Sequence, residues 1–359
     1  MARFSVVMGL VGLTMSLVAC KAGETDAMKE KGDKEHTPAT PPAKTVIDSP
    51  VAGSWYTSDG NALRLEIQGY LDDVDLSDAP KTAGRVAGLI SPHAGYRFSG
   101  KVEAHGYSLL RDRKIRRIIV LGPSHHVGFE GFAVTRATHW RTPLGEAPLD
   151  PEGAGKLAGS DLFDYRENAF TREHSIDIQV PFIQVVAPNA KTLPVVVGQV
   201  GLNKAREAGR AIRALLDDET VVVASSDFTH YGDSFGYVPF TEDVEQGIKK
   251  LTDQAARAIV HMDAEAFAEH VESTGDTICG RAPIMTLLTA IPRRATALPL
   301  KFDSSGNMTG DWSHTVSYLS VALFLGENRG EFQGMEVLSA TERKMLLDLA
   351  RDTLKRHLS

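Results

Sequence analysis

Four apolar runs limit what this chain can fold into. They read "RVAGLISPHAGY" (85–96), "RRIIVLGPSHH" (116–126), "TLPVVVGQV" (192–200) and "VVVASSDFTH" (221–230). Each is rich in Val, Ile or Leu and lacks the polar alternation of a half-exposed strand, so each suits a strand buried on both faces. Helical stretches separate and follow them: "KVEAHGYSLLRD", "NKAREAGRAIRALLDD" and "DVEQGIKKLTDQAARAIVHM". The alternation predicts an α/β domain, a largely parallel central sheet flanked by helices. In such sheets ligands bind beyond the carboxyl ends of the strands. Three of the four runs end there on histidine: His93, then His125 with His126, then His230, which Asp227 precedes by three residues. Separate strand ends that repeat one chemistry converge on one edge, so the strands read as scaffold and these side chains as one pocket.

Two further stretches share that character. "REHSIDIQVPFI" sets Glu173, His174, Ser175 and Asp177 ahead of an apolar segment, and "GDTICGRAPIMTLLTAI" sets Cys279 and Gly280 before a helix with Pro283 in its first turn. A helix N-terminus favours a thiolate, so Cys279 is placed to be anionic, as metal binding and nucleophilic attack both require. The chain has two cysteines. The other, Cys20, closes "MARFSVVMGLVGLTMSLVAC", a secretory signal whose Leu17-Val18-Ala19-Cys20 ending resembles a bacterial lipobox. Lipidation of Cys20 leaves Cys279 without a disulfide partner.

Residues 1–19 thus read as signal peptide and 20–50 as lipidated cysteine plus tether. The tether is charged, proline-bearing and nearly free of large apolar residues, too polar to fold, with a reach of roughly 30 Å as a flexible coil. The expected location is extracytoplasmic, on the periplasmic side and at the outer membrane, since Lys21 rather than aspartate follows the cysteine. The membrane is then a partner through the lipid anchor. A net charge of -7 argues against nucleic acid. Residues 51–327 read as the α/β domain, with 42% hydrophobic and 24% charged residues over the whole chain. Residues 328–359 read as a linker and an amphipathic helix.

Taken together, "AGSWYTSDG", "SPHAGYRFSG", "LGPSHH", "EHSIDIQVPF", "SSDFTHYG" and "CGRAPI" resemble the MEMO family, also called AmmeMemoRadiSam system protein B, over about residues 50–325. The resemblance implies a fold similar to class III extradiol dioxygenases of the LigB type, whose iron sits on histidines and a carboxylate; here a cysteine replaces the carboxylate. It implies metal ligation by His93, His125 and Cys279. Asp227 and His230 would be acid/base groups of the same pocket, and Trp55 in "GSWY" would wall it. Residues His126, His174 and Tyr96 are expected to line the pocket or orient its ligands. Animal members continue with basic residues after "SSDFTHYG", where this chain has "DSFGY", so phosphopeptide recognition is not carried over. The C-terminal "LSATERKMLLDLARDTLKRHLS" resembles the opening helix of an AMMECR-type domain, the usual partner of the family; an amphipathic terminal helix is the alternative.

Two imidazoles and a thiolate suit one mononuclear transition metal, Fe(II) or Cu ahead of Zn. Three readings stay open: a redox or oxygenase-like enzyme with His230 as base and Asp227 orienting it, a non-catalytic metal-binding or interaction scaffold, and a hydrolase with Cys279 as nucleophile. The substrate, whether small molecule or peptide, is not named by any motif.

Overall fold

The computed structural model describes residues 43–75 and 84–326. The stretches expected as signal peptide, lipidated Cys20 and C-terminal helix lie outside the described residues, as does the expected tether up to residue 42; its last part is corrected, because Val46–Asp48 form a strand paired with residues 139–141.

The four apolar runs become β2 (Arg85–Ser91), β3 (Arg117–Pro123), β8 (Lys191–Val197) and β9 (Thr220–Ser225). The remaining strands are β1 (Val46–Asp48), β4 (Phe132–Val134), β5 (His139–Thr142), β6 (Gly145–Pro148), β7 (Phe163–Tyr165), β10 (His230–Tyr231), β11 (Thr296–Ser304) and β12 (Thr315–Leu325). Helices α1 (Gly60–Asp72), α2 (Tyr96–Ser108), α3 (Pro151–Leu157), α4 (His174–Asp177) and α5 (Gln179–Val186) occupy the first half. The second half holds α6 (Leu202–Arg213), α7 (Val244–Val260), α8 (Ala264–Thr274), α9 (Arg281–Ala290) and α10 (Ser305–Thr309).

One sheet runs β10-β12-β2-β9-β3-β8-β4-β7, with β11 on the free side of β12. Its centre is parallel as expected: β2 pairs with β9, β9 with β3, and β3 with β8. The flanks are not. Strand β12 runs antiparallel to β2 and to β11, and β4 runs antiparallel to β8. A parallel neighbour needs a long crossover, which helices supply at the centre and which the segment containing α3 supplies between the outer β4 and β7; β11 and β12 are joined by a short connection and form an antiparallel pair. The fold is therefore a mixed α/β sheet flanked by helices.

Alternation along the central strands feeds two cores. Ile119 and Leu121 of β3 and Val222 and Ala224 of β9 pack with Ile212, Ile259, Phe267 and Leu287 from α6, α7, α8 and α9. The intervening Ile118, Val120, Val221 and Val223 pack with Ile67, Tyr107 and Phe182 from α1, α2 and α5. At about 1.5–3 kcal/mol per buried aliphatic side chain, two-sided burial rather than strand propensity fixes these positions. A smaller sheet, β1-β5-β6, lies apart from the large one. No helix among the described residues is long and apolar enough to cross a membrane.

The buried Asp177 of α4 ties residues 49–56 to the domain. It accepts hydrogen bonds from Ser49 Oγ (2.6 Å), Tyr56 Oη (2.7 Å) and Trp140 Nε1 (2.6 Å). Those bonds hold the "GSWY" loop beside α4, where His174 sits.

Candidate metal centre

The carboxyl ends of β2 and β3 deliver His93 and His125, and the hydrogen bonds around each ring decide which nitrogen faces inward. His93 is buried, and its Nδ1 lies 2.9 Å from Ser225 Oγ, the last residue of β9. That hydroxyl has one proton, which it donates to the Ser175 carbonyl at 2.6 Å, while Gln179 Nε2 donates to it at 3.0 Å. Its remaining capacity is to accept, so His93 Nδ1 carries the proton and Nε2 keeps its lone pair. Burial, and the His125, His174 and His230 rings, hold His93 well below the ordinary imidazole range.

His125 has the same arrangement with a carboxylate in place of the hydroxyl. Its Nδ1 donates to Glu173 Oε1 at 2.8 Å and its backbone N–H to Glu173 Oε2 at 2.7 Å. Burial pulls the Glu173 carboxyl upward, but the bonds from His125 outweigh it and the group sits below its usual range. Glu173 also accepts from Ser175 N at 3.0 Å and so caps α4. A carboxylate behind an imidazole fixes its tautomer and leaves Nε2 for a ligand.

The third ring is His174, the first residue of α4. It lies 4.2 Å from the His125 ring at an interplanar angle of 28°, and 4.4 Å from the Trp55 ring. Burial, then the His125 ring, pushes it down to about 3, so it too is a neutral donor. His93, His125 and His174 each offer a ligand atom, all within 4.8 Å of one another. Cys279 Sγ lies 3.2 Å from His93 Nε2. An ion held at ordinary Zn–N and Zn–S lengths in a tetrahedron would separate N from S by about 3.6 Å, so the Cys279–His93 pair is near the spacing that a shared ion needs, while the donors that all lie near one another are those of the three histidines.

Close packing accounts for two glycines here. A Cβ on Gly122 would lie 2.4 Å from Ser175 Oγ, and one on Gly280 would lie 2.3 Å from Ser226 Cβ. Each brings a functional loop against its neighbour. Beside the cluster opens a cleft of about 480 Å³, lined by His125, His126, Phe129, Gln199, Cys279 and Arg281 among others.

The expected site residues fall out as follows. His93 and His125 come together, whereas Cys279, expected as the third ligand, meets His93 Nε2 but is not one of the mutually clustered donors. His174, read as an orienting group, stands inside the cluster. Trp55, 36% exposed, packs its ring 4.4 Å from that of His174, and His126 lines the cleft with its ring 5.8 Å from that of His174. Three expectations are corrected. Tyr96 is not a pocket residue: it is buried in the core against Phe182, its hydroxyl on the Ile178 carbonyl. Asp227 does not orient His230. The His230 Nδ1–H is taken by the carbonyls of Phe228 (2.9 Å) and Thr277 (3.1 Å), while Asp227 Oδ1 accepts the backbone N–H of His93 at 2.8 Å. Finally, the Cys279 thiol is not held as a free thiolate. Burial pushes it well above the ordinary range and the Asp227 carboxylate adds to this, outweighing the helix N-terminus. Sequence reasoning missed Glu173 and Ser225 as orienting groups. Its place beside His174 groups Glu173 with the pocket stretches but gives it no role; Ser225 has no signal.

The architecture agrees with what the chain is similar to. A family profile described as "Memo-like protein" matches residues 48–322. Among curated proteins, Protein MEMO1 of Danio rerio is 31% identical over 76% of this chain and 96% of its own length. Protein MEMO1 of Homo sapiens is 33% identical over 67% and 82%, and Protein memo-1 homolog of Caenorhabditis elegans 31% identical over 77% and 82%. A solved structure of an uncharacterized protein from Escherichia coli K12 is a weaker likeness, with TM-score 0.43 and 16% identity over 66% of this chain and 99% of that one. The profile match runs through every residue of the cluster from Trp55 to Cys279, and the chain belongs to the Memo-like family.

Proposed function

We propose that this chain binds one mononuclear transition metal through His93, His125, His174 and Cys279 and uses it for redox chemistry on a small molecule held in the adjacent cleft. The observation that carries the reading is the pair of fixed tautomers. Ser225 and Glu173 hold the protons of His93 and His125 on Nδ1, so both Nε2 lone pairs are committed to one point beside a sulfur. A nitrogen-rich set with one sulfur selects a borderline-soft ion, iron or copper ahead of zinc. Bound iron or copper would supply one-electron chemistry with O2.

The chain's own residues do the rest. Trp55 and His174 pack ring against ring and keep bulk water from one side of the cluster. His230, with Nδ1–H fixed on two carbonyls, presents Nε2 as a group able to take or return a proton. Arg281, which has no acidic partner among the described residues, gives the cleft a cation for an acidic group of the ligand. A second reading, Cys279 as nucleophile with His93 as base, has the 3.2 Å contact in its favour. It is the weaker one, because burial drives both groups toward their neutral forms and leaves no thiolate–imidazolium pair.

Elemental analysis of protein purified without added metal tests the reading. About one iron or copper per chain in the wild type, lost in His93→Ala and Cys279→Ala, is expected. O2 uptake by loaded protein separates an enzyme from a metal-binding scaffold; absence of any bound ion in all preparations would end the proposal.

A further inference from the structure

Behind the cluster, α2 carries an acid that the chemistry above does not use. Glu103 is fully buried. Its Oε1 lies 2.7 Å from Ser99 Oγ, and Ser99 Oγ lies 2.8 Å from the Ala94 carbonyl oxygen. A serine hydroxyl has one proton, and a carbonyl can only accept. The Ser99 proton therefore goes to Ala94, and the short contact with Glu103 requires a proton on Glu103 itself. The surroundings agree. The titratable groups that face Glu103 are Asp227 after β9, Tyr70 from α1, and Tyr96 and Tyr107 from α2. Among the described residues none of these is a cation, and Oε2 has no hydrogen-bond partner. A buried carboxylate without compensation is costly enough that the neutral form is retained. Burial pushes this carboxyl well above its ordinary range.

The chain of bonds ends next to a candidate ligand. Ala94 follows His93, and the backbone N–H groups of both donate to Asp227. The turn is thus gripped on both sides: Asp227 takes its N–H groups, and the Glu103–Ser99 relay takes its carbonyl. We propose that Glu103 is a positioning residue that works as a neutral acid, fixing the His93–Ala94 turn through Ser99 and so aiming His93 at the centre. Its effect on metal binding rests on the reading of a metal centre at His93; its protonation does not.

The test uses the full chain with Glu103→Gln, Glu103→Leu and Ser99→Ala. Glutamine keeps a neutral side chain with an N–H that can donate to Ser99 and a carbonyl oxygen, whereas leucine fills the space with neither donor nor acceptor. Difference infrared spectra of metal-free protein at pH 8 should show the C=O band of a protonated carboxyl in the wild type that Glu103→Gln removes, which also separates it from Asp227. Metal titration by chelator competition should leave the Kd of Glu103→Gln within about threefold of wild type. It should raise that of Glu103→Leu and Ser99→Ala roughly 10-fold or more, as loss of an outer support does. If leucine prevents folding, Ser99→Ala carries the comparison. A carboxylate rather than a C=O band, or wild-type Kd in both Glu103→Leu and Ser99→Ala, would overturn the proposal. If wild type binds no metal, the centre itself is refuted, and the infrared band still decides the protonation of Glu103.

Discussion

Glu173→Gln changes one atom's chemistry at constant volume, and its consequence can be counted. Three N–H donors converge on the two carboxylate oxygens: the His125 backbone, His125 Nδ1 and the Ser175 backbone. A glutamine offers one oxygen and an NH2. Whichever way the amide is turned, at least one donor meets another donor, a buried mismatch worth about 1–3 kcal/mol. When the NH2 takes the Oε1 position the ring can accept from it at Nδ1, which leaves only the Ser175 N–H mismatched and moves the ring proton to Nε2. That places a hydrogen on the atom that should donate to the ion. The expected loss in metal affinity is roughly 10- to 100-fold, or about 1.4–2.7 kcal/mol. Competition against a chromophoric chelator measures the affinity, and long-range 1H–15N correlation of metal-free protein reads the His125 tautomer directly. Wild-type affinity in Glu173→Gln, with the proton still on Nδ1, would refute the reasoning.

Other consequences are more briefly stated. His174 is held at about 3 against an ordinary 6.5, so the unfolded chain takes up a proton that the folded chain refuses. Metal-free protein should therefore lose stability as pH falls from 6.5 toward 3, by about 1.4 kcal/mol per unit of difference at most, and chemical denaturation of His174→Gln should show a flatter profile. Glu173 acts in the same direction lower down: its depressed carboxyl stabilises above the unfolded value, and the contribution disappears as pH falls through the folded one. Gly122→Ala should cost about 1–3 kcal/mol in urea unfolding by overpacking against Ser175; an unchanged midpoint would show that the β3 end yields freely. Iodoacetamide should modify Cys279 slowly at pH 7 in metal-free protein, because its thiol is held protonated, and a rate above that of a free thiol would contradict this.

The central strands were legible because burial on both faces removes the polar residues that would otherwise break up "RRIIVLG" or "VVVAS". The antiparallel flanks were not. In β11, "TALPLKFDS", polar and apolar residues mix because one edge of the sheet is partly open. His93 and His125 were legible as residues just past strand ends. His174 was harder to place, since it enters from α4 rather than from a strand end and reaches the cluster because Asp177 and Glu173 anchor that short helix. Asp227 was placed in the right loop with the wrong partner. Nothing in "SSDFTH" says that its carboxylate turns back onto the His93 backbone rather than forward to His230. The helix-terminus argument for Cys279 failed on magnitude: a dipole contribution of about 0.3–1 kcal/mol is smaller than the cost of burying a thiolate beside a carboxylate.

X-ray absorption on the metal-loaded chain tests the shared centre most directly. The account predicts one sulfur and at least two imidazoles around a single ion in the wild type, with the sulfur lost in Cys279→Ser and an imidazole lost in His93→Ala. A coordination shell of oxygen alone, or one that neither substitution alters, would contradict it.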